Sequence, residues 1–402
     1  MKIANRVRRI YERRPYPSPS LRENRMDWAL APIEWIRSMW FAPIEGPMRI
    51  LVAGCGVGTE AFAFARRFPS AEIVAVDFSA RSIAAARKEQ RSTPHGTRIR
   101  FEIADITSST LFKLAGRCHI VSCHGVLSYI EEPLLALRNL VRCLDPSGVL
   151  IMGVNGASHV SRSWRRLLPQ FGIDPSEFRE SARVRRALRL FDSLSGDEHA
   201  LVEREAGYLA GDLFGPLNLA LPLSEWNALC QEAGLHLLGN YAAFFDVRPA
   251  VNAGLHALVL PRSRSEVAGL LDELQPGSFH RVLYSRTVAA TPSWRDPKAL
   301  LDWRPALTPL FSMRLPARRR QWKEMRQVTL ESAPTNTKIS LSVPQWEVEI
   351  LARSDGRKSL REILDPVRPA VPGRSLSEAM YLLYLVGAVN LLSPETGIED
   401  KT

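Results

Sequence analysis

Between Met48 and about Val154 the sequence predicts a doubly wound α/β fold, a parallel sheet covered by helices on both faces. Three observations predict it: short β-branched runs alternate with longer segments of helical period, the first run passes straight into alternating glycines, and the next two runs end in carboxylates. Parallel strands need crossovers of about a dozen residues or more, usually helices, so a βαβ chain must show this alternation.

Arg49–Val52, Glu72–Val76, Ile99–Ile103, His119–Cys123 and Val149–Val154 read as strands. Glu60–Phe68, Ser79–Gln90, Thr110–Ala115 and Pro133–Cys143 read as the helices between them. Upstream, the prolines within Tyr11–Pro19 remove backbone donors and restrict their neighbours, which predicts an extended segment. Ile33, Ile36 and Trp40 then recur at helical spacing and predict a short helix from Pro32. Residues 1–45 together read as an N-terminal cap.

After Val154 the strand signal stops, and residues 156–222 become helical and Arg-rich, with Arg165, Arg166, Arg185 and Arg186 among them. This span reads as a helical lid over the ligand edge of the sheet. Ser224 reads as the N-cap of a helix over Glu225–Ala233, Gly234 as its stop and Leu235–Leu238 as a strand. A helix at Ser265–Leu274 and a strand at Phe279–Ser285 complete a domain spanning 46–286. The prolines at 292, 297, 305, 309 and 316, then Arg318-Arg319-Arg320 beside Trp322 and Lys323, read as a linker over 287–335. Residues 336–402 form a small, mostly helical module.

Composition narrows the function classes. The chain has 402 residues, enough for two or three domains, with no apolar run of spanning length and no apolar stretch behind its basic N-terminus. Neither a membrane partner nor secretion is expected, and a cytoplasmic location is. Five cysteines without a C-x-x-C pair argue against a disulfide framework. The net charge of +11, from 53 Lys and Arg against 42 Asp and Glu, would suit a polyanion, but the basic residues are spread along the whole chain and nucleic acid is not the preferred partner. Cys118-His119 and Cys123-His124 sit on one strand of alternating faces, so no metal site is expected from them.

The chemistry concentrates in Ile50-Leu51-Val52-Ala53-Gly54-Cys55-Gly56-Val57-Gly58-Thr59-Glu60. An apolar strand entering alternating glycines and then a helix lets the backbone turn sharply and a ligand approach closely, which is a nucleotide-binding turn. A nicotinamide fingerprint counted from Gly54 fails at Thr59, whereas counted from Gly56 it reaches Ala61 and fits. An NAD(P)-dependent oxidoreductase therefore stays as an alternative, as does a cofactor-binding regulator without turnover. Asp77, at the end of the second strand, is placed to accept both hydroxyls of a ribose. Asp105, at the end of the third, falls on the same edge, within reach of an adenine amino group.

V-A-G-C-G-V-G-T, V-D-F-S, A-D-I and V-S-C-H-G-V-L-S-Y-I, followed by Leu144-Asp145-Pro146-Ser147-Gly148, resemble the ordered motifs of class I S-adenosylmethionine-dependent methyltransferases. The resemblance is strongest over residues 46–155. It implies a Rossmann-like sheet and S-adenosyl-L-methionine as cofactor. Ala53, Gly54, Cys55, Gly56 and Gly58 would then line the cofactor, Asp77 and Phe78 would meet its ribose, and Asp105 and Ile106 its adenine. His124 would border the methyl-transfer site. Where an acceptor must lose a proton, His124 and Tyr129 are the candidate bases, with Tyr16 and His159 as remoter ones. The C-terminal module, with Trp346 and Asp355–Leu360, is similar to the winged-helix-like extensions of some such enzymes, and self-association is one role open to it.

The sequence also departs from the family pattern. Ala53 stands where many members carry an acid before the first glycine, so the cofactor's amino group needs a partner from elsewhere. Ser128-Tyr129 replaces a frequent His-His pair. The acceptor is not legible, and a small metabolite is preferred to a protein side chain or RNA.

Overall fold

The computed structural model describes residues 3–17, 46–93, 96–174, 182–195, 206–240, 258–288, 290–308, 312–314, 325–332, 337–366, 373–385 and 387–394. The described residues fall into two compact units, one built from those within 1–30, 42–237 and 272–287, the other from those within 238–271 and 288–402.

In the first unit, α1 (Ile3–Arg13) precedes β1 (Arg49–Ala53), α2 (Thr59–Arg67), β2 (Glu72–Asp77), α3 (Ala80–Gln90) and β3 (Ile99–Ile103). The chain continues through α4 (Leu111–Ala115), β4 (Cys118–His124), α5 (Pro133–Cys143) and β5 (Leu144–Asn155). With β6 (His236–Asn240) and β7 (Phe279–Ser285) these strands form a seven-stranded sheet in the order β3-β2-β1-β4-β5-β7-β6. β1 pairs in parallel with both β2 and β4, whereas β7 runs antiparallel to β5. The direction of winding reverses between β1 and β4, and in open α/β sheets ligands bind at the carboxyl ends of the strands flanking such a reversal. Ile50, Leu51 and Val52 are wholly buried, as a strand covered on both faces requires.

The segment between β5 and the later helix folds as α6 (Val160–Leu167), α7 (Ala182–Ser195) and α8 (Ala206–Tyr208), which runs on as one π-helical turn at Leu209–Leu213. Trp164, Leu168, Val184, Leu188, Leu213 and Phe214 give this insertion a hydrophobic cluster of its own. Arg165 turns inward and donates to the Gly215 carbonyl, whereas Arg166, Arg185 and Arg186 are exposed. The four therefore do not act as one basic strip.

Three sequence expectations are corrected in this unit. The extended segment expected from Tyr11 begins only after α1, which carries the helix through Arg13 to the edge of the prolines. The helix α9 (Leu223–Glu232) starts at an N-cap of Pro222 rather than Ser224. Asp272 satisfies its terminus from outside by accepting from the Leu223 N–H at 2.8 Å. The continuous domain 46–286 is in fact interrupted, since 238–271 clusters with the second unit. The helix expected from Pro32 and the basic cluster Arg318–Arg320 lie outside the described residues.

The second unit overturns the expected linker. Within 287–335 lie α11 (Pro297–Leu300), β8 (Arg304–Leu307), β9 (Ser312–Arg314) and β10 (Met325–Ser332), after α10 (Arg264–Leu274). Trp294, Leu300, Trp303, Val328 and Leu330 are part of its core. The prolines do structural work here: Pro297 occupies the first helical turn behind the Asp296 cap, and Pro305 sits in a strand of a two-stranded sheet. Beside its helices, the module over 336–402 carries two strands among the described residues. β11 (Thr337–Pro344) pairs with β10 and β12 (Val389–Leu392) with β8, around α12 (Gln345–Arg353), α13 (Leu360–Leu364) and α14 (Gly373–Leu385).

Candidate active site

The glycine turn closes the carboxyl end of β1. Gly54 and Cys55 both donate their N–H groups to the Val76 carbonyl, at 2.8 and 2.9 Å, which fixes the turn to the neighbouring strand β2. Gly54 (φ 74°), Gly56 (φ 53°) and Gly58 (φ 90°) all have left-handed backbone that disfavours any other residue. Space forbids a side chain as well: a Cβ on Gly54 would strike Val126, and one on Gly56 would strike the carbonyl oxygen of Tyr16. Ala53 is buried, and the Cys55 thiol is buried with its pKa pushed well up by loss of solvent and then by Asp77.

Asp77 ties this turn to the next crossover. Its Oδ2 accepts from the Gly56 N–H and its Oδ1 from the Ser79 N–H, both at 2.9 Å. Burial raises its pKa, and the two N–H bonds oppose that rise. Above it, α1 is docked by Glu12, which accepts from the N–H groups of Ala80 at 2.7 Å and Arg81 at 3.3 Å, the exposed donors at the start of α3. The Tyr11 ring lies 6.2 Å from that of Phe78, centroid to centroid. At the end of β3, Asp105 is exposed, with Oδ1 accepting from the N–H and hydroxyl of Thr107 at 2.9 and 2.7 Å. Ile106 is buried.

His124 ends β4 with its ring stacked on Phe279, centroids 5.4 Å apart. The stacking requires Gly153 on β5, because a Cβ there would meet the imidazole. Burial, then Arg281, lowers the His124 pKa to about 3, so the ring is neutral at pH 7 and a weak base. His159 is likewise lowered, to about 4, and its Nδ1 caps α6 through Ser161. Of the paired cysteines and histidines on β4, His119 accepts the Arg49 N–H at 3.0 Å, while burial pushes the Cys118 thiol up to about 12 and that of Cys123 up as well. They face different surroundings.

Tyr129 lies in a polar cluster that the sequence did not announce. Its hydroxyl donates to the Asp212 carboxylate and accepts from Asn155 Nδ2 at 3.0 Å. Asn155 also donates to Asn218 Oδ1 at 2.9 Å, and Asn218 Nδ2 donates to the Asp212 carbonyl at 2.9 Å. Burial raises the Tyr129 phenol well above its ordinary pKa, with Asp212 adding to the rise, and Tyr11 shows the same two leading causes. Both phenols therefore keep their protons at neutral pH. A Cβ on Gly211 would meet the Tyr11 hydroxyl and one on Gly207 the Tyr16 ring, so the helical insertion closes against the N-terminal segment. The cluster thus runs from the glycine turn through Tyr16 and Tyr11 to Asp212 and Tyr129. Asp212, Asn155 and Asn218 escaped sequence reading because they come from a helix, a strand end and a loop that only folding unites.

A separate cavity of about 300 Å³, lined by Phe112, Arg117, Val141, Arg142 and Arg286, lies at the amino end of β4, away from this cluster. Among the described residues no group of three or more His, Cys, Asp or Glu is disposed to hold a metal ion.

Comparison with known proteins decides between the readings of the turn. The family model described as a methyltransferase domain matches residues 51–150, which contain the glycine turn, Asp77, Asp105, His124 and Tyr129. The chain carries a methyltransferase domain. A tRNA N(3)-methylcytidine methyltransferase of Schizosaccharomyces pombe is 32% identical over 113 residues, covering 27% of this chain and 45% of its own. A trans-aconitate 2-methyltransferase of Methylobacterium radiotolerans is 29% identical over 108 residues, covering 27% of this chain and 38% of its own. The chain spans less than half the length of the curated relatives it matches. The solved structure of PKMT2 from Rickettsia typhi in complex with AdoHcy covers 90% of this chain and 75% of its own at a TM-score of 0.56 and 14% identity, a likeness of fold. The methyltransferase domain is therefore the part of the chain that sequence kinship marks, and fold kinship extends well beyond it.

Proposed function

We propose that the protein transfers a methyl group from S-adenosylmethionine to a nucleophilic acceptor. The observation that carries this reading is the glycine turn held by Asp77, at the winding reversal of the sheet and inside the matched methyltransferase domain. The residues fit the cofactor. Three left-handed glycines leave bare backbone for close approach, and the Thr59 hydroxyl beside them is buried without a hydrogen-bond partner among the described residues. In this reading the turn holds the amino-acid end, Asp77 and Phe78 the ribose, Asp105 and Ile106 the adenine, and His124 walls the reaction space.

The sulfonium supplies an already activated methyl group, so the protein's task is alignment and exclusion of water. Neutral His124, stacked on Phe279, serves as wall rather than base. Tyr129, held between Asp212 and Asn155, presents a protonated phenol to the acceptor, and Asp212 is the group in this cluster able to take a proton. The two named relatives act on unlike acceptors, a tRNA cytidine and trans-aconitate, so the shared segment does not carry acceptor choice. A small metabolite is supported by the closed polar cluster of Tyr11, Tyr129, Asp212, Asn155 and Asn218. A cytoplasmic location is supported by five buried, unpaired thiols, and no helix among the described residues is long and apolar enough to cross a membrane.

Calorimetry with S-adenosylhomocysteine tests the reading. Asp77→Ala removes a charged hydrogen-bond acceptor and should weaken binding by about 10-fold or more. Unchanged affinity would sink the assignment.

A further inference from the structure

The amino-acid end of S-adenosylmethionine carries an α-carboxylate and an α-ammonium. A helix N-terminus suits the first, whereas the second calls for an anion. The residues just before Gly54 offer none, since Val52 and Ala53 are apolar and buried. A carboxylate nevertheless reaches this edge from another element. Glu60, in the first turn of α2, accepts a hydrogen bond at Oε1 from Ser122 Oγ at 2.7 Å. Ser122 is the cross-strand partner of Val52, so this carboxylate stands over the ends of β1 and β4, two residues before both Gly54 and His124. Its charge adds to the rise that burial gives the thiols of Cys55 in the turn and Cys123 on β4.

We infer that Glu60 supplies the anionic partner of the cofactor's α-ammonium, an assignment that rests on the methyltransferase reading above. Burial alone raises its pKa, to about 7, against the opposing bond from Ser122. The groups facing it, the Ser122 hydroxyl on β4 and the thiols of Cys55 on the turn and Cys123 on β4, are uncharged. In the free protein near pH 7 Glu60 is therefore partly protonated. A cation docked beside it favours the ionised form, so binding drives its proton into solvent, while no bond of the cofactor changes. The release grows as pH falls from 7 to 6, where more Glu60 starts protonated and the ammonium stays charged.

The test pairs two ligands and two proteins in calorimetry, using buffers of different ionisation enthalpy. S-adenosylhomocysteine has the amino-acid end, and 5′-methylthioadenosine lacks it. Glu60→Gln keeps an acceptor for Ser122 and removes the charge. The variant should bind S-adenosylhomocysteine at least about 10-fold more weakly while holding 5′-methylthioadenosine within about twofold of wild type. The buffer-dependent enthalpy should appear only with wild type and S-adenosylhomocysteine. Unchanged S-adenosylhomocysteine affinity, or an equal loss for both ligands, overturns the inference while leaving the cofactor reading intact. Wild-type protein that binds neither ligand overturns that reading and the inference with it.

Discussion

Each unit of the chain holds a glutamate whose pKa is raised, and the two have different surroundings. Glu60 sits beside a left-handed glycine turn, hydrogen-bonded to Ser122, with its pKa raised to about 7. Glu347, in α12 of the second unit, is raised to about 8 by burial alone, amid a core of Trp346, Val348, Ile350 and Leu351. Both carboxyls are costly to ionise, since a charge taken from water without a partner is disfavoured. The difference teaches that a raised pKa by itself marks burial, and that the neighbouring backbone decides whether a ligand can answer the charge.

The sharpest way to break the comparison is to neutralise Glu347. A carboxyl whose folded pKa exceeds its unfolded value stabilises fully below the unfolded pKa and loses that contribution as pH rises through the folded one. For Glu347 the window runs from about 4.5 to about 8. Glu347→Gln should therefore gain little at pH 5 and up to about 4 kcal/mol above pH 8, read by urea unfolding at several pH values. Its affinity for S-adenosylhomocysteine should stay that of wild type. A weakened cofactor site would show that the two glutamates are not separate in role.

Arg264 extends the contrast. Buried in the second unit, it donates to the Tyr384 carbonyl at 2.8 Å, Asn390 Oδ1 at 2.8 Å and the Val389 carbonyl at 3.0 Å, with its guanidinium 3.8 Å from the Tyr384 ring centroid. Burial lowers its pKa to about 10, so it stays charged at neutral pH. This buried charge is answered within the chain and has a structural task. Arg264→Met strands three acceptors and should cost about 3 kcal/mol, again with cofactor affinity retained. A variant as stable as wild type would remove Arg264 from the account of that core.

Tyr129 gives the smallest expected change in stability and the most specific change in function. Tyr129→Phe deletes the hydroxyl between Asp212 and Asn155 and should cost about 1 kcal/mol. S-adenosylhomocysteine affinity should hold while turnover with any accepted substrate falls by about 10-fold or more. Loss of cofactor affinity instead would move Tyr129 from the acceptor side to the cofactor side of the site.

Much of the first unit was legible because its signals are local. Five of the seven strands follow from β-branched runs, and the turn follows from Gly54, Gly56 and Gly58 because left-handed backbone leaves its mark in residue type. Asp77 was legible for the same reason, being adjacent in sequence to the strand end it serves. Asp212 was not: it lies in Gly211–Pro216, which reads as a break, and its carboxylate's partner Tyr129 is 83 positions away. The second unit is less legible because Pro297 and Pro305 read as linker signals, although a first helical turn and an edge strand also accept proline.

The sequence by itself determined the alternation of strands and helices from β1 to β5, the glycine turn and the carboxylates at the ends of β2 and β3, since each depends on residues within a few positions of one another. Only the tertiary structure decided that Glu60 meets Ser122, that Glu12 holds α1 on the start of α3, and that Tyr129, Asp212, Asn155 and Asn218 form one cluster. It also decided which residues close the second core around Trp294 and Trp303. Side-chain hydrogen bonds and core contacts depend on distances between elements, and no periodicity along a chain encodes a distance between two of its remote parts.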